Sequence, residues 1–247
     1  MSLALRSLAF NLLFYAWLAV LGLTCLPLIV LPRRQVWRIV KLWTHGVLWL
    51  LRHVVGLDFE VRGAKPPDGT SVIVAAKHQS AWDTLIFLVL FDDPAYVLKR
   101  ELLWIPLYGW FTARLGMIGI DRAAGASALK RLVADTRPKL AQHRPIVIFP
   151  QGTRTPPGAG RGAGRRRPYL PGAYMLYADA KLPVVPVALN SGLFWGRRSF
   201  LKRPGRIVLE FLPAIAPGLD RRRFMAELET RIETATTALE TCGKPGQ

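Results

Sequence analysis

The sequence predicts an α/β protein with a mixed sheet flanked by helices and an N-terminal pair of membrane-associated helices. Two observations support this prediction. After residue 57, short β-branched runs bounded by turn residues alternate with segments of helical periodicity, a pattern typical of a sheet covered on both faces. Before residue 57 the chain is strongly apolar and carries tryptophans suited to a membrane interface. We therefore divide the 247 residues into a membrane-embedded or interfacial helix pair (1–57) and an α/β domain (58–247).

The first element is an uncharged apolar segment at residues 8–32, which is long enough to cross a bilayer as a helix. A cleaved signal peptide is the alternative, because Arg6 precedes the apolar run. The run is long for a signal peptide and has no small-x-small cleavage site, so a retained membrane segment is favoured. The basic residues that follow are Arg33, Arg34, Arg38 and Lys41. By the positive-inside rule they predict a membrane-anchored protein on the cytoplasmic face of the inner (cell) membrane.

The second element is an apolar segment at residues 36–57 that also carries basic residues and histidines, so it is a poor membrane-spanning helix. Its tryptophans at 37, 43 and 49 suit the headgroup interface. Three arrangements remain open: a helix pair that dips into one leaflet, one span followed by an interfacial helix, or an ordinary buried core helix.

The remaining elements follow from periodicity and turn residues. Strands are predicted at 58–63, 71–76, 95–99, 146–149, 184–189 and 206–212. Helices are predicted at 81–91, 101–116 with a break at Pro106, 123–143 and 172–180. Asp220 caps a last helix with one apolar face, formed by Phe224, Leu228, Ile232 and Leu239.

The net charge of +18 predicts an acidic partner, and nucleic acid, anionic lipid and a phosphorylated substrate all qualify. We expect no nucleic acid, because the chain has no zinc pattern, RNA-binding aromatic motif or helix-turn-helix spacing. The segment at 156–168 consists of glycine, proline, arginine and alanine and is predicted to be a mobile surface loop. Its four arginines meet anionic headgroups or a phosphorylated ligand, or they are simply solvated.

Cys25 and Cys242 are the only cysteines, and neither has a CxxC partner. The sequence therefore predicts no disulfide framework and no metal site, and it suits a reducing compartment such as the cytoplasm.

The stretch KHQSAWDT (77–84) places His78 in the turn between a strand and a helix, with Asp83 five positions later. Asp83 could simply form a capping box with Ser80. Alternatively, the chain folds back and brings the imidazole onto the carboxylate, which fixes the tautomer and leaves the other ring nitrogen as a general base. Because no GxSxG motif marks a protein nucleophile, this dyad suits an enzyme whose nucleophile is the hydroxyl of its substrate.

Three further blocks follow in order. LGMIGIDR (115–122) ends in Asp121 and Arg122, FPQGTR (149–154) follows a predicted strand, and PVVPVALN (183–190) has Pro186 inside an apolar run. Strand ends that carry glycine, threonine and arginine are where α/β folds bind phosphates.

Taken together and in this order, the four blocks resemble the glycerolipid acyltransferase family, and in particular the bacterial 1-acyl-sn-glycerol-3-phosphate acyltransferases. HxxxxD matches His78 and Asp83. The glycine-to-arginine motif matches 116–122, and FPEGTR matches 149–154 except at Gln151. The apolar motif around a proline matches 184–189, and the resemblance covers about residues 36–212.

The resemblance implies that 58–247 is the catalytic domain and that acyl-CoA or acyl-carrier protein is the co-substrate, with no metal or redox cofactor. His78 would deprotonate the hydroxyl of a lysophospholipid held at a membrane of anionic lipid, and Asp83 would orient the imidazole. The substrate-binding residues it implies are Lys99, Arg122, Gln151, Gly152, Thr153 and Arg154. Among these, Arg122, Arg154 and the backbone amides near Gly152 would hold the acceptor phosphate.

Glutamine in place of glutamate at position 151 puts the acceptor in doubt, since it keeps the size and loses the charge. A lyso-ornithine lipid or a lysophospholipid with a larger headgroup is therefore an alternative acceptor. A non-catalytic basic scaffold on a membrane surface is the alternative from another class, and it would not need His78.

Overall fold

The computed structural model describes residues 2–158 and 168–243, and its centre is a seven-stranded sheet. The strands are β1 (Leu57–Arg62), β2 (Ile73–Ala76), β3 (Ala95–Lys99), β4 (Ile118–Ile120), β5 (Ile146–Ile148), β6 (Val184–Leu189) and β7 (Gly205–Phe211). Their spatial order is β1-β7-β6-β2-β5-β3-β4. Strands β2 to β6 are mutually parallel, whereas β7 runs antiparallel to β6 and pairs with β1 in parallel. The sheet is mixed, which confirms the predicted class.

The central strands β2, β5 and β6 are buried along their whole length, as their β-branched composition predicts. Pro186 lies inside β6, where a missing amide would normally break the ladder. The amides of Val184 and Asn190, an even number of positions away, donate toward Ile215 and Val208 on the β7 side. The nitrogen of Pro186 therefore faces the β7 side as well. The β6–β7 ladder begins at Val187, and the isolated bridge to Ile215 is at Val184, so Pro186 lies between the two and no ladder bond is lost.

Helices cover both faces of the sheet. They are α1 (Leu3–Thr24), α2 (Arg33–Leu50), α3 (Trp82–Leu90), α4 (Tyr108–Arg114), α5 (Gly125–Ala141), α6 (Gly172–Ala180) and α7 (Arg221–Cys242). One core lies between the sheet and the helices α1, α2 and α3, and the other lies between the sheet and the helices α5, α6 and α7. Asp220 caps α7 as predicted, because its side chain accepts from the amide of Arg223.

The N-terminal helices differ in their surroundings. In the described chain, α1 is the one helix long and apolar enough to cross a membrane. Helix α2 is amphipathic and buries Val36, Trp37 and Val47 against α3 in the first core, while Trp49 stays 58% exposed. The buried face of α2 thus fits the core-helix alternative. Membrane association of α2 stays a prediction, as does the division of the chain at residue 57.

Two segments differ from the sequence prediction. The predicted helix at 101–116 is a 3-10 turn (Arg100–Trp104) followed by α4, so the predicted break at Pro106 is confirmed but its first half is not α-helical. Strand β4 was not predicted, because three residues with a central glycine carry little β-propensity. The predicted mobile loop at 156–168 lies largely outside the described residues.

Candidate active site

The loop between β2 and α3 brings His78 and Asp83 together. The Nδ1 atom of His78 lies 2.9 Å from Oδ2 of Asp83, the second residue of α3. The Asp83 side chain is fully buried, whereas that of His78 is 13% exposed. With Nδ1 engaged by the carboxylate, the other ring nitrogen of His78 is left for a substrate, as a general base requires.

The carboxylate of Asp83 is held by three further donors. Its Oδ2 atom accepts from the amides of Gln79 at 2.6 Å and Ser80 at 2.8 Å, and its Oδ1 atom accepts from Oγ of Ser191 at 2.5 Å. The predicted contacts of Asp83 with Ser80 and with His78 are therefore both present on one carboxylate, although the N-cap of α3 is Ala81 and not Ser80. Ser191 was not predicted from the sequence, and its position directly after PVVPVALN was the only available signal.

The imidazole is fixed from its face as well as from its edge. The ring of His78 stacks on the ring of Phe149, with centroids 4.1 Å apart and planes inclined by 21°. Phe149 begins the FPQGTR block, and Thr155 just beyond it donates its amide and its hydroxyl to the His78 carbonyl oxygen at 2.8 and 3.2 Å. The two sequence blocks thus form one unit around His78.

Gly152 makes the tight turn in the second block. Its φ of +64° lies in the left-handed region, and a Cβ there would approach Leu170 to 2.5 Å. The Gly152 amide donates to the Phe149 carbonyl oxygen at 2.9 Å. It is therefore not free to bind a phosphate, in contrast to the expectation for Gly152.

Arg122 and Arg154 line the same cavity as His78. A Cβ at Gly152 would lie 3.5 Å from Cζ of Arg122, so this guanidinium covers the turn. Burial lowers the pKa of Arg122 below its ordinary value, and burial followed by the charge of Arg197 lowers the pKa of Arg154. Arg154 is partly buried and Arg122 is exposed, and both are cations on the wall of the cavity that holds His78, which favours an anionic ligand.

Lys99 and Thr153 also line the cavity. Lys99 forms an ion pair with Glu101 at 2.8 Å, and both side chains are nearly half exposed. The hydrogen bond from Lys99 lowers the pKa of Glu101. Among the described residues, Lys99 is therefore in a direct ion pair, whereas Arg122 and Arg154 are not.

Gln151 is directed away from the cavity that its neighbours line. Its side chain is buried, donates to Oε1 of Glu233 at 3.3 Å and accepts from Oγ1 of Thr155 at 3.3 Å. The prediction that Gln151 contacts substrate therefore differs from its position, because its side chain contacts Glu233 and Thr155 and does not line the cavity.

The cavity has a volume of about 810 Å³ and lies at the carboxyl edge of the parallel strands. It is lined mainly by apolar side chains from both layers, including Leu18 and Leu21 of α1 and Leu129 and Leu132 of α5. Within residues 2–158 and 168–243, no group of three or more His, Cys, Asp or Glu could hold a metal ion. Cys25 and Cys242 are both free.

Comparison with known proteins agrees with this geometry. The model of the Acyltransferase family matches residues 58–190, which include the dyad and both arginines. The chain is thus an acyltransferase, an enzyme.

Individual relatives make the comparison more specific. A Pseudomonas aeruginosa protein named 1-acyl-sn-glycerol-3-phosphate acyltransferase is 36% identical over 232 residues, which are 93% of this chain and 88% of the relative. A Mus musculus protein named 1-acyl-sn-glycerol-3-phosphate acyltransferase alpha is 29% identical over 215 residues, 84% of this chain and 72% of the relative. The chain belongs to the glycerolipid acyltransferase family.

The fold is shared with a solved structure. The crystal structure of PlsC, the 1-acyl-sn-glycerophosphate (LPA) acyltransferase from Thermotoga maritima, matches with a TM-score of 0.74. The match covers 96% of this chain and 95% of that chain at 20% identity. At this identity the match shows the fold alone.

Proposed function

We propose that the protein transfers an acyl group from acyl-CoA or acyl-carrier protein to the free hydroxyl of 1-acyl-sn-glycerol-3-phosphate. The products are phosphatidic acid and the free thiol. The observation that carries this proposal is the His78–Asp83 pair at 2.9 Å, placed beside an apolar cavity and two arginines. The proposed acceptor is the one named in the relatives, which are 1-acyl-sn-glycerol-3-phosphate acyltransferases.

In the proposed reaction, His78 takes the proton of the acceptor hydroxyl and Asp83 stabilises the imidazolium that forms. The acceptor oxygen attacks the thioester carbonyl carbon, and a tetrahedral intermediate results. When it collapses, the carbon–sulfur bond breaks and the thiolate leaves with the proton from His78. Each step uses only the dyad and the two substrates, and we propose no metal or redox cofactor. A positioned base of this kind contributes about 10²–10⁴-fold in rate.

The acceptor phosphate is proposed to bind Arg122 and Arg154. Both guanidiniums line the cavity that holds His78, and a guanidinium makes charge-assisted hydrogen bonds to phosphate oxygens. Lys99 contributes less, because its ion pair with Glu101 partly neutralises it. Since Gln151 faces Glu233, glutamine in place of glutamate removes no charge from the cavity, and this favours a phosphate-bearing acceptor of the family type.

The membrane is proposed to hold the enzyme through α1 on the cytoplasmic face, with the net charge of +18 favouring anionic lipid and an acidic acyl donor. Three contacts support a retained helix. Lys202 donates its amide to Oγ of Ser7 at 3.0 Å and its amino group to Oδ1 of Asn11 at 2.9 Å. Trp17 donates to the Trp43 carbonyl oxygen of α2 at 3.1 Å. The apolar side chains of α1 that line the cavity suit the acyl chains.

The test compares wild type with His78→Ala in membranes supplied with labelled acyl-CoA and 1-acyl-sn-glycerol-3-phosphate. A parallel reaction supplies lyso-ornithine lipid, and both are repeated with acyl-carrier protein. His143→Asn is the matched control, since His143 is exposed and its left-handed backbone tolerates asparagine.

We expect wild type and the control to make phosphatidic acid, and His78→Ala to lose at least about 10²-fold in rate. If product forms only with lyso-ornithine lipid, the proposed acceptor is wrong and the proposed acyl transfer stands. Equal inactivity of wild type and His78→Ala with both donors, in folded protein, would favour the membrane scaffold.

A further inference from the structure

The two residues that flank His78 are both bound to carboxylates of α7. Lys77 is 2% exposed, and its amino group lies 2.7 Å from each carboxylate oxygen of Glu233. Gln79 is fully buried and donates from Nε2 to Oε1 of Glu240 at 2.6 Å. The backbone of His78 is thus held on both sides by one helix.

The same two carboxylates also hold the second loop of the site. Glu233 Oε1 accepts from Gln151 at 3.3 Å and from the hydroxyl of Tyr169 at 2.9 Å. Glu240 Oε2 accepts from the amide of Gly158 at 2.8 Å. Burial first, and then the charge of Glu233, raise the pKa of Tyr169 well above its ordinary value, so this hydroxyl stays a donor.

The spacing of the two glutamates explains how one helix reaches both loops. Residues seven apart lie two turns apart on the same side of a helix, so Glu233 and Glu240 both face the carboxyl edge of the sheet. The family match ends at residue 190, and α7 lies beyond it at Arg221–Cys242. The contacts from α7 are therefore not part of the matched motifs.

We propose that Glu233 and Glu240 are positioning residues that set the geometry of His78 through Lys77, Gln79 and Gln151. This inference rests on the proposed function of His78. A buried lysine needs its partner, because an ammonium out of water without a counter-charge is strongly disfavoured. Removal of Glu233 therefore leaves Lys77 without its counter-charge, and removal of Glu240 leaves the buried Nε2 atom of Gln79 without its acceptor. Either change loosens the loop that carries the base.

The same arrangement accounts for Gln151. Glu233 already supplies the carboxylate that Lys77 requires, and Gln151 lies 3.3 Å from it. A glutamate at 151 would place a second carboxylate against that of Glu233, and Lys77 would be the one ammonium group available to both. One of the two carboxylates would then be protonated or displaced. An amide at 151 instead donates to Glu233 and accepts from Thr155, so it joins the two loops without adding charge.

The test is a charge exchange between positions 151 and 233. The variants are Gln151→Glu, Glu233→Gln and the double exchange, with Glu227→Gln as the matched control on the same helix. Glu227 forms an ion pair with Arg231 away from the loops. Steady-state kcat and acceptor KM are measured below the melting temperature of each variant, and His78→Ala is assayed alongside.

We expect each single exchange to lower kcat about tenfold or more, with acceptor KM changed less than about twofold, because Arg122 and Arg154 are untouched. The double exchange restores one carboxylate and one amide, and we expect it to recover most of the lost kcat. The control should match wild type. Where Glu233→Gln does not fold, Glu240→Gln carries the test with the same expected loss in kcat.

Single exchanges that lower the melting temperature but leave kcat within twofold of wild type would overturn the inference. So would a double exchange no better than the worse single variant. In both cases a large loss in His78→Ala would leave the proposed function standing. Full activity of His78→Ala would instead overturn the proposed function itself.

Discussion

The hydroxyl of Ser191 makes the one hydrogen bond to Oδ1 of Asp83 in the described chain, and its removal tests how the dyad is held. In Ser191→Ala this oxygen stays buried with no donor, while Oδ2 keeps its three. A hydrogen bond to a charged group contributes about 1.5–3 kcal/mol. If the whole amount is expressed in the transition state, at 1.36 kcal/mol per tenfold, kcat falls about 10- to 150-fold.

The part of the loss that is already present in the resting enzyme lowers the stability of the fold instead. For a chain of this length, about 2–4 °C of melting temperature is lost per kcal/mol, so Ser191→Ala is expected to melt up to about 12 °C below wild type, less where more of the loss appears in kcat. Acceptor KM should change little, because Ser191 touches the carboxylate and not the arginines.

The assay is initial-rate acyl transfer with thermal unfolding on the same preparations. Ser199→Ala is the control, since the Ser199 hydroxyl donates only to the Leu201 carbonyl oxygen outside the site. If Ser191→Ala matches the control in both kcat and melting temperature, the hydrogen bond to Asp83 stabilises neither the transition state nor the fold, and Ser191 does not pre-organise the dyad.

Two further changes test the packing around the site. Gly152→Ala forces a side chain into a left-handed turn, with its Cβ 2.5 Å from Leu170. We expect about 1–2 kcal/mol of destabilisation, and a raised acceptor KM because Arg122 shifts. Unchanged KM and stability would contradict the turn geometry. Gly46→Leu places a Cβ 2.3 Å from the indole nitrogen of Trp17, which pushes α1 and α2 apart. We expect about 1–3 kcal/mol of destabilisation in thermal unfolding. An unchanged melting temperature would show that the contact between α1 and α2 is not tightly packed.

What could be predicted from the sequence depended on how far apart the interacting residues lie along the chain. His78 and Asp83 are five residues apart, and the turn between a strand and a helix was enough to predict their contact. Ser191 reaches Asp83 across 108 residues, and Glu233 and Glu240 reach the loop of His78 across 156 and 161 residues. No local pattern marks such partners, because only the folded sheet brings them together.

The secondary structure shows the same limit in another form. Strands with long β-branched runs, such as β6, were predicted with their bounds, whereas the three residues of β4 were not. Helix α2 was ambiguous because burial in a core and burial in a membrane interface select the same amphipathic pattern. Its packing on α3 settles one face, and that information lies in the tertiary contacts alone.

The distribution of charge around His78 follows from these long-range contacts. Asp83 and Glu240 are buried and Glu233 is 12% exposed, and each accepts hydrogen bonds from the loop that carries His78. Among these donors Lys77 is a cation. The guanidiniums of Arg122 and Arg154 line the cavity instead. The charge of Asp83 still acts on Arg154, but no acidic side chain of the described residues lines the cavity, so the cavity keeps positive charge, which suits the phosphate-bearing acceptor that we propose. An added carboxylate at 151 would disturb this separation, which is why the amide at that position is consistent with a phosphate-bearing acceptor.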